Sequence, residues 1–299
     1  SVNRYDVIVV GAGPAGSTSA AETARSGLRT LLLEKHAIPR HKTCGGGVPM
    51  GAARWEPGLL PTDVVETRAT RMRHTWCFGD AFTAPLNPPG ADPQMGIWMV
   101  QRAAFDAALA RRAANAGADL RDGAPVRAVE LGSTGVRVTV SLPSGACETI
   151  AADVVVGADG ANGVTASAAG LRRDRVLAIG MEVELPHRWG DGAPDLRPDT
   201  VHLEYGAVAR GYAWVFPKAE HLNIGAGMLR PRPPDGRGDR TVADGLRAAI
   251  LRYADSLGLR PDPNALHFHA HPLPLWSGRE PLGTRDGRIL LCGDAAGLV

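Results

Sequence analysis

The strongest structural signal in this chain is YDVIVVGAGPAGSTSAAETARSGLRTLLLE, residues 5–34. It starts with a short apolar run, typical of a strand that is buried on both faces of a sheet. Residues 14–26 are rich in alanine at helical spacing, and Gly27 follows where a helix C-cap is expected. Residues 28–33 are again apolar and predict a second buried strand. The stretch therefore predicts a strand–helix–strand unit.

The turn after the first strand has the sequence Gly11-Ala12-Gly13-Pro14-Ala15-Gly16. Gly11 permits a tight turn, Gly13 lets the backbone approach a pyrophosphate, and Gly16 lets the helix pack closely on the strand. The helix N-terminus at Pro14 offers unpaired N–H groups and a positive dipole to phosphates. Glu34, at the tip of the second strand, is placed to accept hydrogen bonds from ribose hydroxyls and disfavours a 2′-phosphate. These features predict a dinucleotide site that does not take NADP.

A second motif, near the other end of the sequence, indicates a longer ligand than the first motif does alone. Gly293-Asp294 follows an apolar strand at 288–292 and precedes a turn into a helix. The aspartate can accept hydrogen bonds from sugar-alcohol hydroxyls, although a lone Gly-Asp is also a common helix N-cap. Paired with the first motif, it predicts a long, bent dinucleotide such as FAD. If this strand joins the first unit, the nucleotide-binding domain is discontinuous and residues 176–285 contain an inserted sheet.

Two further motifs lie between these ends. Residues 153–160, DVVVGADG, predict a strand that ends in an acidic turn containing Asp159. Arg102 opens a predicted helix that ends at Ala116, where its side chain can reach a pyrophosphate or remain solvated.

The ordered set GAGPAG…E, R-x-x-F-D, GADG and GD resembles the p-hydroxybenzoate-hydroxylase-like FAD superfamily across nearly the whole chain. Two segments narrow the resemblance. Lys42-Thr43-Cys44-Gly45-Gly46-Gly47 resembles the Lys-x-Cys-Gly-Gly loop of the geranylgeranyl reductase family. Residues 211–218, GYAWVFPK, followed by NIGAG at 223–227, resemble that family's Tyr-x-Trp-x-Phe-Pro-Lys…Asn-x-Gly-x-Gly signature. Such enzymes saturate isolated double bonds of polyprenyl chains in chlorophyll precursors, archaeal-type lipids or quinone tails.

The resemblance implies which residues contact FAD: Ala15, Glu34, the loop Cys44-Gly45-Gly46-Gly47, Arg102, Val126 and Asp294. It also implies that NAD(P)H or a ferredoxin-type donor reduces the flavin. This family has Ser where Gly163 stands after GADGAN. It normally continues past the position of Val299 with a mostly helical region, so the chain is expected to be a fragment.

The residues of the narrower segments have their own physical interpretation. Three consecutive glycines at 45–47 let a loop lie flat against an isoalloxazine ring. Tyr212, Trp214 and Phe216 share one strand face, which suits either an isoprenoid-binding wall or ordinary sheet core. Cys44 is a candidate to orient the substrate or donate the proton that accompanies hydride transfer; the alternative is a small side chain packing the loop. Halogenases carry a similar Trp-x-Trp-x-Ile-Pro segment, but the cysteine–glycine loop favours a reductase.

We therefore predict an α/β protein with α+β elements, in which a Rossmann-like FAD-binding domain carries an inserted antiparallel β-sheet substrate domain. The FAD-binding domain is expected to comprise residues 1–65, 100–170 and 286–299. The substrate domain is expected at 66–99 and 171–285, and begins with one strand at 66–78.

Bulk composition excludes several kinds of partner. The formal net charge is only +2 and basic residues are scattered among acidic ones, so no nucleic acid is expected. No stretch approaches about 18 continuous apolar residues. We expect a cytoplasmic protein with at most peripheral membrane contact, and the oligomeric state is open.

The four cysteines lack zinc spacing. His267, His269 and His271 would share a strand face, where surface histidines are favoured over a metal site.

Three functions are consistent with these features. The leading hypothesis is an FAD-dependent prenyl double-bond reductase, in which the chain orients FAD and substrate. The second is an aromatic monooxygenase or halogenase, because a fold does not fix a reaction. The third is a redox-silent relative that binds a prenylated protein, against which the intact Glu34, Arg102 and Asp294 argue.

Overall fold

A computed structural model describes residues 4–49, 51, 61–87, 89–90, 96–171, 176–230 and 238–298. The chain forms two compact units. The first comprises residues 1–41, 103–177 and 273–299, and the second comprises residues 42–102 and 178–272. Among the described residues, these units differ from the sequence-based domains at 42–49, 51, 61–65, 100–102, 171, 176–177 and 273–285. The functions assigned to the two domains stay predictions.

The helices are α1 (Pro14–Arg25), α2 (Arg102–Asn115), α3 (Thr165–Ala168) and α4 (Gly238–Ser256). The strands are β1 (Arg4–Val10), β2 (Thr30–Leu33), β3 (Gly47–Pro49), β4 (Val65–Ala69), β5 (Arg71–Trp76), β6 (Gly79–Pro85), β7 (Ile97–Val100), β8 (Asp119–Arg121), β9 (Val126–Leu131), β10 (Val136–Ser141), β11 (Cys147–Gly157), β12 (Val176–Pro186), β13 (Thr200–Tyr205), β14 (Gly211–Pro217), β15 (His221–Leu229), β16 (His269–Leu275) and β17 (Ile289–Leu291).

The first unit is built on a sheet with strand order β8-β2-β1-β11-β10-β9. The strands β8, β2, β1 and β11 pair in parallel, whereas β9, β10 and β11 form an antiparallel meander. Strand β17 pairs in parallel with β11, so the last strand joins the sheet of the first unit. One sheet face buries Ile8 and Leu31, and the other buries Val9 against Ala20 of α1. Burial on both faces explains why these strands are continuous apolar runs.

The second unit is built on a sheet with strand order β16-β12-β15-β14-β13-β5-β6. The pairs among β12, β15, β14 and β13 are antiparallel, and β13 pairs in parallel with β5. One face of this sheet packs on α4, with Val215, Ile224 and Ile250 fully buried between them. A smaller sheet has the order β3-β7-β4.

Two sequence-based details are wrong. The strand predicted at 66–78 is two strands in different sheets, because the chain turns at Thr70, whose N–H donates to Asp199 O at 2.9 Å. Nothing in the local composition signals this break. His267 precedes β16, so only His269 and His271 lie within a strand. Among the described residues, no three His, Cys, Asp or Glu side chains are placed to hold a metal ion.

All four cysteines are unpaired thiols. None of the described helices is long and apolar enough to cross a membrane.

Candidate active site

The three glycines between β1 and α1 occupy different environments. Gly11 has a φ of +103°, and a Cβ there would overlap the carbonyl oxygen of Ala158. A Cβ on Gly16 would overlap the carbonyl oxygen of Gly11, so helix and turn pack too closely for any side chain. An ideal Cβ on Gly13, in contrast, would have no atom of any described residue within 4 Å. Close packing therefore explains why positions 11 and 16 are glycine, whereas the space beside Gly13 is open.

The open position lies at the N-terminus of α1. This helix starts at Pro14 after Gly13, and no side chain among the described residues caps its first N–H groups. The turn at Gly293 approaches closely, because a Cβ on Gly293 would lie 2.9 Å from the Cβ of Ala15. The glycine-rich turn and the Gly-Asp turn are therefore neighbours, and uncapped helical N–H groups fit the pyrophosphate of a dinucleotide such as FAD.

Glu34 is buried, with 3% of its surface exposed, and is already hydrogen-bonded by the protein. It accepts from Ala12 N at 3.0 Å, from His36 N at 3.2 Å and from Arg40 at 3.1 Å. Burial, the largest single influence, would raise the pKa of Glu34, but the Arg40 guanidinium and the two N–H groups together lower it. Arg40 also donates to Asp106 at 2.9 Å. Glu34 therefore stabilises the glycine-rich turn. A ribose hydroxyl would have to donate to carboxylate oxygens of Glu34 that already accept hydrogen bonds from the protein.

Asp159 stabilises the turn in which it lies through hydrogen bonds to Thr165. Its Oδ2 accepts hydrogen bonds from the N–H and the hydroxyl of Thr165, each at 2.9 Å, at the start of α3. Its Oδ1 is buried with no hydrogen-bond partner among the described residues. A Cβ on Gly163 would overlap this carboxyl group, so the Ser of the family pattern would force Asp159 to move. The departure at Gly163 therefore has a local explanation, and a cofactor contact at Asp159 stays a prediction.

In the second unit, the loop at 44–47 is held tightly by protein. Cys44 N donates to Glu182 at 2.7 Å, and Gly46 N donates to Cys44 Sγ at 3.4 Å. Gly46 has a φ of +68°, and a Cβ there would overlap Val100 O. A Cβ on Gly45 would lie 2.7 Å from the ring of Phe216. These glycines are needed for contacts within the protein, whatever else they face.

Tyr212, Trp214 and Phe216 form an aromatic row on one face of β14. Neighbouring ring centroids are 5.9 Å apart for the first two and 6.1 Å apart for the second two. Tyr205 on β13 continues the row, with its ring centroid 6.4 Å from that of Tyr212. Tyr212 is 45% exposed, whereas Val215 on the opposite face is buried against α4. The sheet core lies on the other face, and the aromatic row is open at the Tyr212 end.

Lys218 directly follows β14 and is 2% exposed. Its ammonium donates to Val100 O at 2.8 Å, and a Cβ on Gly46 would lie 2.6 Å from it. Burial lowers the pKa of Lys218 to about 8, although nearby carboxylates oppose this shift. The charged form is therefore disfavoured in the folded protein relative to water.

This shift predicts a pH dependence of stability. Between about 8 and 10.5, the unfolded chain binds a proton at Lys218 that the folded protein does not bind. The free energy of unfolding should therefore rise with pH across this window, by roughly 3 kcal/mol at most. Urea denaturation of Lys218→Met should lack this rise, whereas the exposed-lysine control Lys35→Met should keep it. Equal pH slopes in both variants would contradict the prediction.

The remaining residues that the sequence predicts as flavin contacts are Lys42, Arg102 and Val126, and they lie on three different segments. Lys42 Nζ lies 2.7 Å from His271 Nε2. Arg102 is the first residue of α2, and Val126 is the first residue of β9. Sequence reasoning missed Arg40, Asp106 and Glu182. Asp106 is the aspartate of the R-x-x-F-D motif, which was its one available signal.

Comparison with known proteins identifies the family. Residues 4–185 match the family model described as an FAD binding domain. Digeranylgeranylglycerophospholipid reductase 2 of Methanothermobacter thermautotrophicus is 31% identical over 99% of this chain and 72% of its own length. Menaquinone reductase of Mycobacterium tuberculosis is 32% identical over 98% of this chain and 71% of its own length. The chain belongs to the geranylgeranyl reductase family. Members of this family are FAD-dependent oxidoreductases, and FAD is the cofactor of this chain.

Solved structures confirm the fold of the geranylgeranyl reductase family. A geranylgeranyl bacteriochlorophyll reductase-like protein from Thermoplasma acidophilum superimposes with a TM-score of 0.81 at 24% identity, covering 100% of this chain and 73% of that one. The myxobacterial chondrochloren halogenase, an FAD-dependent enzyme, gives a TM-score of 0.72 at 22% identity, covering 98% and 68%. The chain spans between 61% and 72% of the length of the curated relatives it matches.

Proposed function

We propose that this chain binds FAD and a polyprenyl substrate in a reductase that saturates carbon–carbon double bonds of a geranylgeranyl or related group. The observation that carries the proposal is the aromatic row Tyr212–Trp214–Phe216, packed at its Phe216 end against the cysteine–glycine loop. A row of half-open rings offers a long apolar contact, which an isoprenoid tail can fill. The names of the two reductase relatives refer to a glycerophospholipid and to menaquinone. The proposal therefore does not specify the head group that carries the prenyl chain.

The residues of the first unit would hold the dinucleotide. The N–H groups at the start of α1 would bind its phosphates, and the open space at Gly13 would let it approach the backbone. Glu34 and Asp294 would accept hydrogen bonds from its hydroxyl groups. Arg102, the last residue of the segment 42–102 in the second unit, is proposed to add positive charge. Bound FAD, reduced by NAD(P)H or a ferredoxin-type donor, supplies the hydride for the alkene.

In the second unit, Cys44 is the candidate proton donor to the other alkene carbon. Its side chain is exposed, and its sulfur is held by the N–H of Gly46. Lys42 of the same unit and Val126 of the first unit complete the set of proposed flavin contacts. A lipid substrate would bring the protein to a membrane surface, as peripheral contact.

The test is anaerobic. Chemically reduced protein is mixed with a geranylgeranyl lipid, and flavin absorbance is followed together with product mass. We expect the flavin to reoxidise and each saturated bond to add two hydrogens to the product. The monooxygenase or halogenase alternative predicts the opposite behaviour: the flavin stays reduced with every prenyl substrate, while an aromatic substrate with oxygen is modified. That outcome would overturn the proposal.

Tyr212→Ala tests the aromatic row within the same assay. Because Tyr212 is half exposed, its removal should leave the fold and the flavin spectrum intact and raise the KM for the prenyl substrate about tenfold. The control is Leu131→Ala, which removes a similarly exposed apolar side chain from β9. Equal KM values for the two variants would remove Tyr212 from the binding site.

A further inference from the structure

Three polar side chains with almost no exposure lie together behind the cysteine–glycine loop. Glu182 is 4% exposed, and Lys218 and Asn223 are each 2% exposed. Burial of a carboxyl group is costly unless hydrogen bonds satisfy it, and burial, as the largest influence, raises the pKa of Glu182. Neither the flavin motifs nor the aromatic row explains why an acidic residue occupies this position.

Two groups on different segments interact with Glu182. The first is Asn223: Trp214 Nε1 donates to Asn223 Oδ1 at 2.9 Å, and the Asn223 side chain lowers the pKa of Glu182. Because the Asn223 oxygen already accepts from the indole, its amide nitrogen is the group available to Glu182. Glu182 Oε1 also accepts from Cys44 N at 2.7 Å. One carboxyl group therefore links the aromatic row to the thiol loop.

The strand register supports this arrangement. Glu182 on β12 faces Gly225 on β15, which in turn faces Trp214 on β14. A Cβ on Gly225 would overlap the indole ring, so the ring lies across β15 in the space that a side chain would occupy. Gly225 thus lets Trp214 lean over the strand that carries Asn223.

We propose that Glu182 is a positioning residue that fixes the Cys44 loop against the aromatic row. It acts through the backbone of Cys44 on one side and through Asn223 on the other, and touches no reacting atom itself. A carboxyl group suits this position because each of its two oxygens can accept from one of the two donors. The inference rests on the proposed function, since Cys44 and the aromatic row are the working groups of that reaction.

The test measures the alkylation rate of Cys44 by iodoacetamide in the oxidised, substrate-free protein, with peptide mass spectrometry as the readout. Cys77 and Cys147 are exposed thiols in the same sample and serve as internal references. Glu182→Leu removes the acceptor of Cys44 N and the carboxylate that interacts with Asn223, and should speed Cys44 alkylation about tenfold relative to the references. Glu182→Gln removes the charge but keeps an acceptor for Cys44 N, and should stay within about threefold of the wild type.

Glu184→Leu is the matched control, because Glu184 lies two residues along β12 and is exposed. It should leave the Cys44 rate unchanged. Glu182→Ser, whose side chain is too short to reach Cys44, replaces the leucine variant if that variant does not fold. An unchanged Cys44 rate in the folded leucine or serine variant would overturn the proposal, as would equal acceleration in the glutamine variant. Alkylation needs no prenyl substrate, so failure of the reductase assay would leave this result interpretable.

Discussion

Gly13→Ala should leave the protein folded while lowering its affinity for FAD by about 10- to 100-fold, the loss expected when a methyl group enters a closely packed contact. Gly13 has φ −75° and ψ −177°, a conformation that alanine adopts freely, and an added Cβ would meet no atom within 4 Å in the part of the chain that the structure describes. The added methyl group would instead occupy the space through which a pyrophosphate approaches the backbone. Flavin fluorescence titration measures the affinity, and thermal unfolding of the apoprotein measures the stability.

Gly16→Ala, three residues along, is the matched variant and should behave in the opposite way. Its Cβ would overlap the Gly11 carbonyl oxygen, which is backbone and cannot rotate away. The expected loss is about 3 kcal/mol in the free energy of unfolding, the upper end of the usual cost of overpacking. If Gly13→Ala bound FAD as tightly as the wild type, the dinucleotide would not approach this turn. If Gly16→Ala were as stable as the wild type, the turn would relax in a way that the structure does not show.

Local sequence patterns predicted the elements of this fold because their causes are local. The alternation of β14 places Tyr212 and Trp214 on one face and Val215 on the other, as the two-residue period of a strand requires. The apolar runs of β1 and β2 predicted burial on both faces, and both strands lie inside the sheet of the first unit. In these strands, the order of apolar and polar residues along a short segment is enough to predict which side chains are buried.

Contacts between distant residues could not be predicted in this way. Arg40 and Asp106 are 66 positions apart, and Cys44 and Glu182 are 138 apart. No periodicity links such pairs. Arg40 and Glu182 look like ordinary surface charges in the sequence, and the motifs that contain Asp106 and Cys44 do not indicate these partners. The glycines at 45–47 show a related effect: the pattern suggested room for a flavin ring, whereas the structure shows that the loop also packs on Phe216. Packing within the protein alone accounts for glycine at 45 and 46, and the flavin contact of this loop stays a prediction.

The largest loss of stability is expected for Arg40→Leu. Arg40 bridges two buried carboxylates, donating to Glu34 at 3.1 Å and to Asp106 at 2.9 Å, and these partners have side-chain exposures of 3% and 2%. Removing one partner of a buried ion pair leaves an uncompensated charge, which destabilises a protein by about 3–5 kcal/mol. Urea denaturation at neutral pH measures this loss. FAD affinity should fall as well, because Glu34 would no longer be held against the glycine-rich turn.

The matched control for Arg40→Leu is Arg137→Leu. Arg137 also pairs with a glutamate at 3.1 Å, but the side chains of Arg137 and Glu130 are 61% and 58% exposed. Removal of this surface pair should change stability by less than about 1 kcal/mol. Arg40→Lys should give an intermediate loss, since one ammonium group cannot match the forked geometry of a guanidinium between two carboxylates. Equal losses for Arg40→Leu and Arg137→Leu would show that burial does not set the strength of the Arg40 bridge.

The effect of Arg40→Leu should also depend on pH. Because the folded protein lowers the pKa of Glu34, this residue contributes stability above its unfolded pKa, and the contribution is lost as the pH falls through the folded pKa. Without Arg40, burial is opposed only by the N–H groups of Ala12 and His36, so the pKa of Glu34 rises and its contribution to stability shrinks. The stability difference between wild type and variant should therefore be largest near neutral pH and shrink on acidification. Adding Glu34→Gln to Arg40→Leu removes one of the stranded charges and should recover part of the stability, whereas no recovery would place the cause outside the Glu34–Arg40 pair.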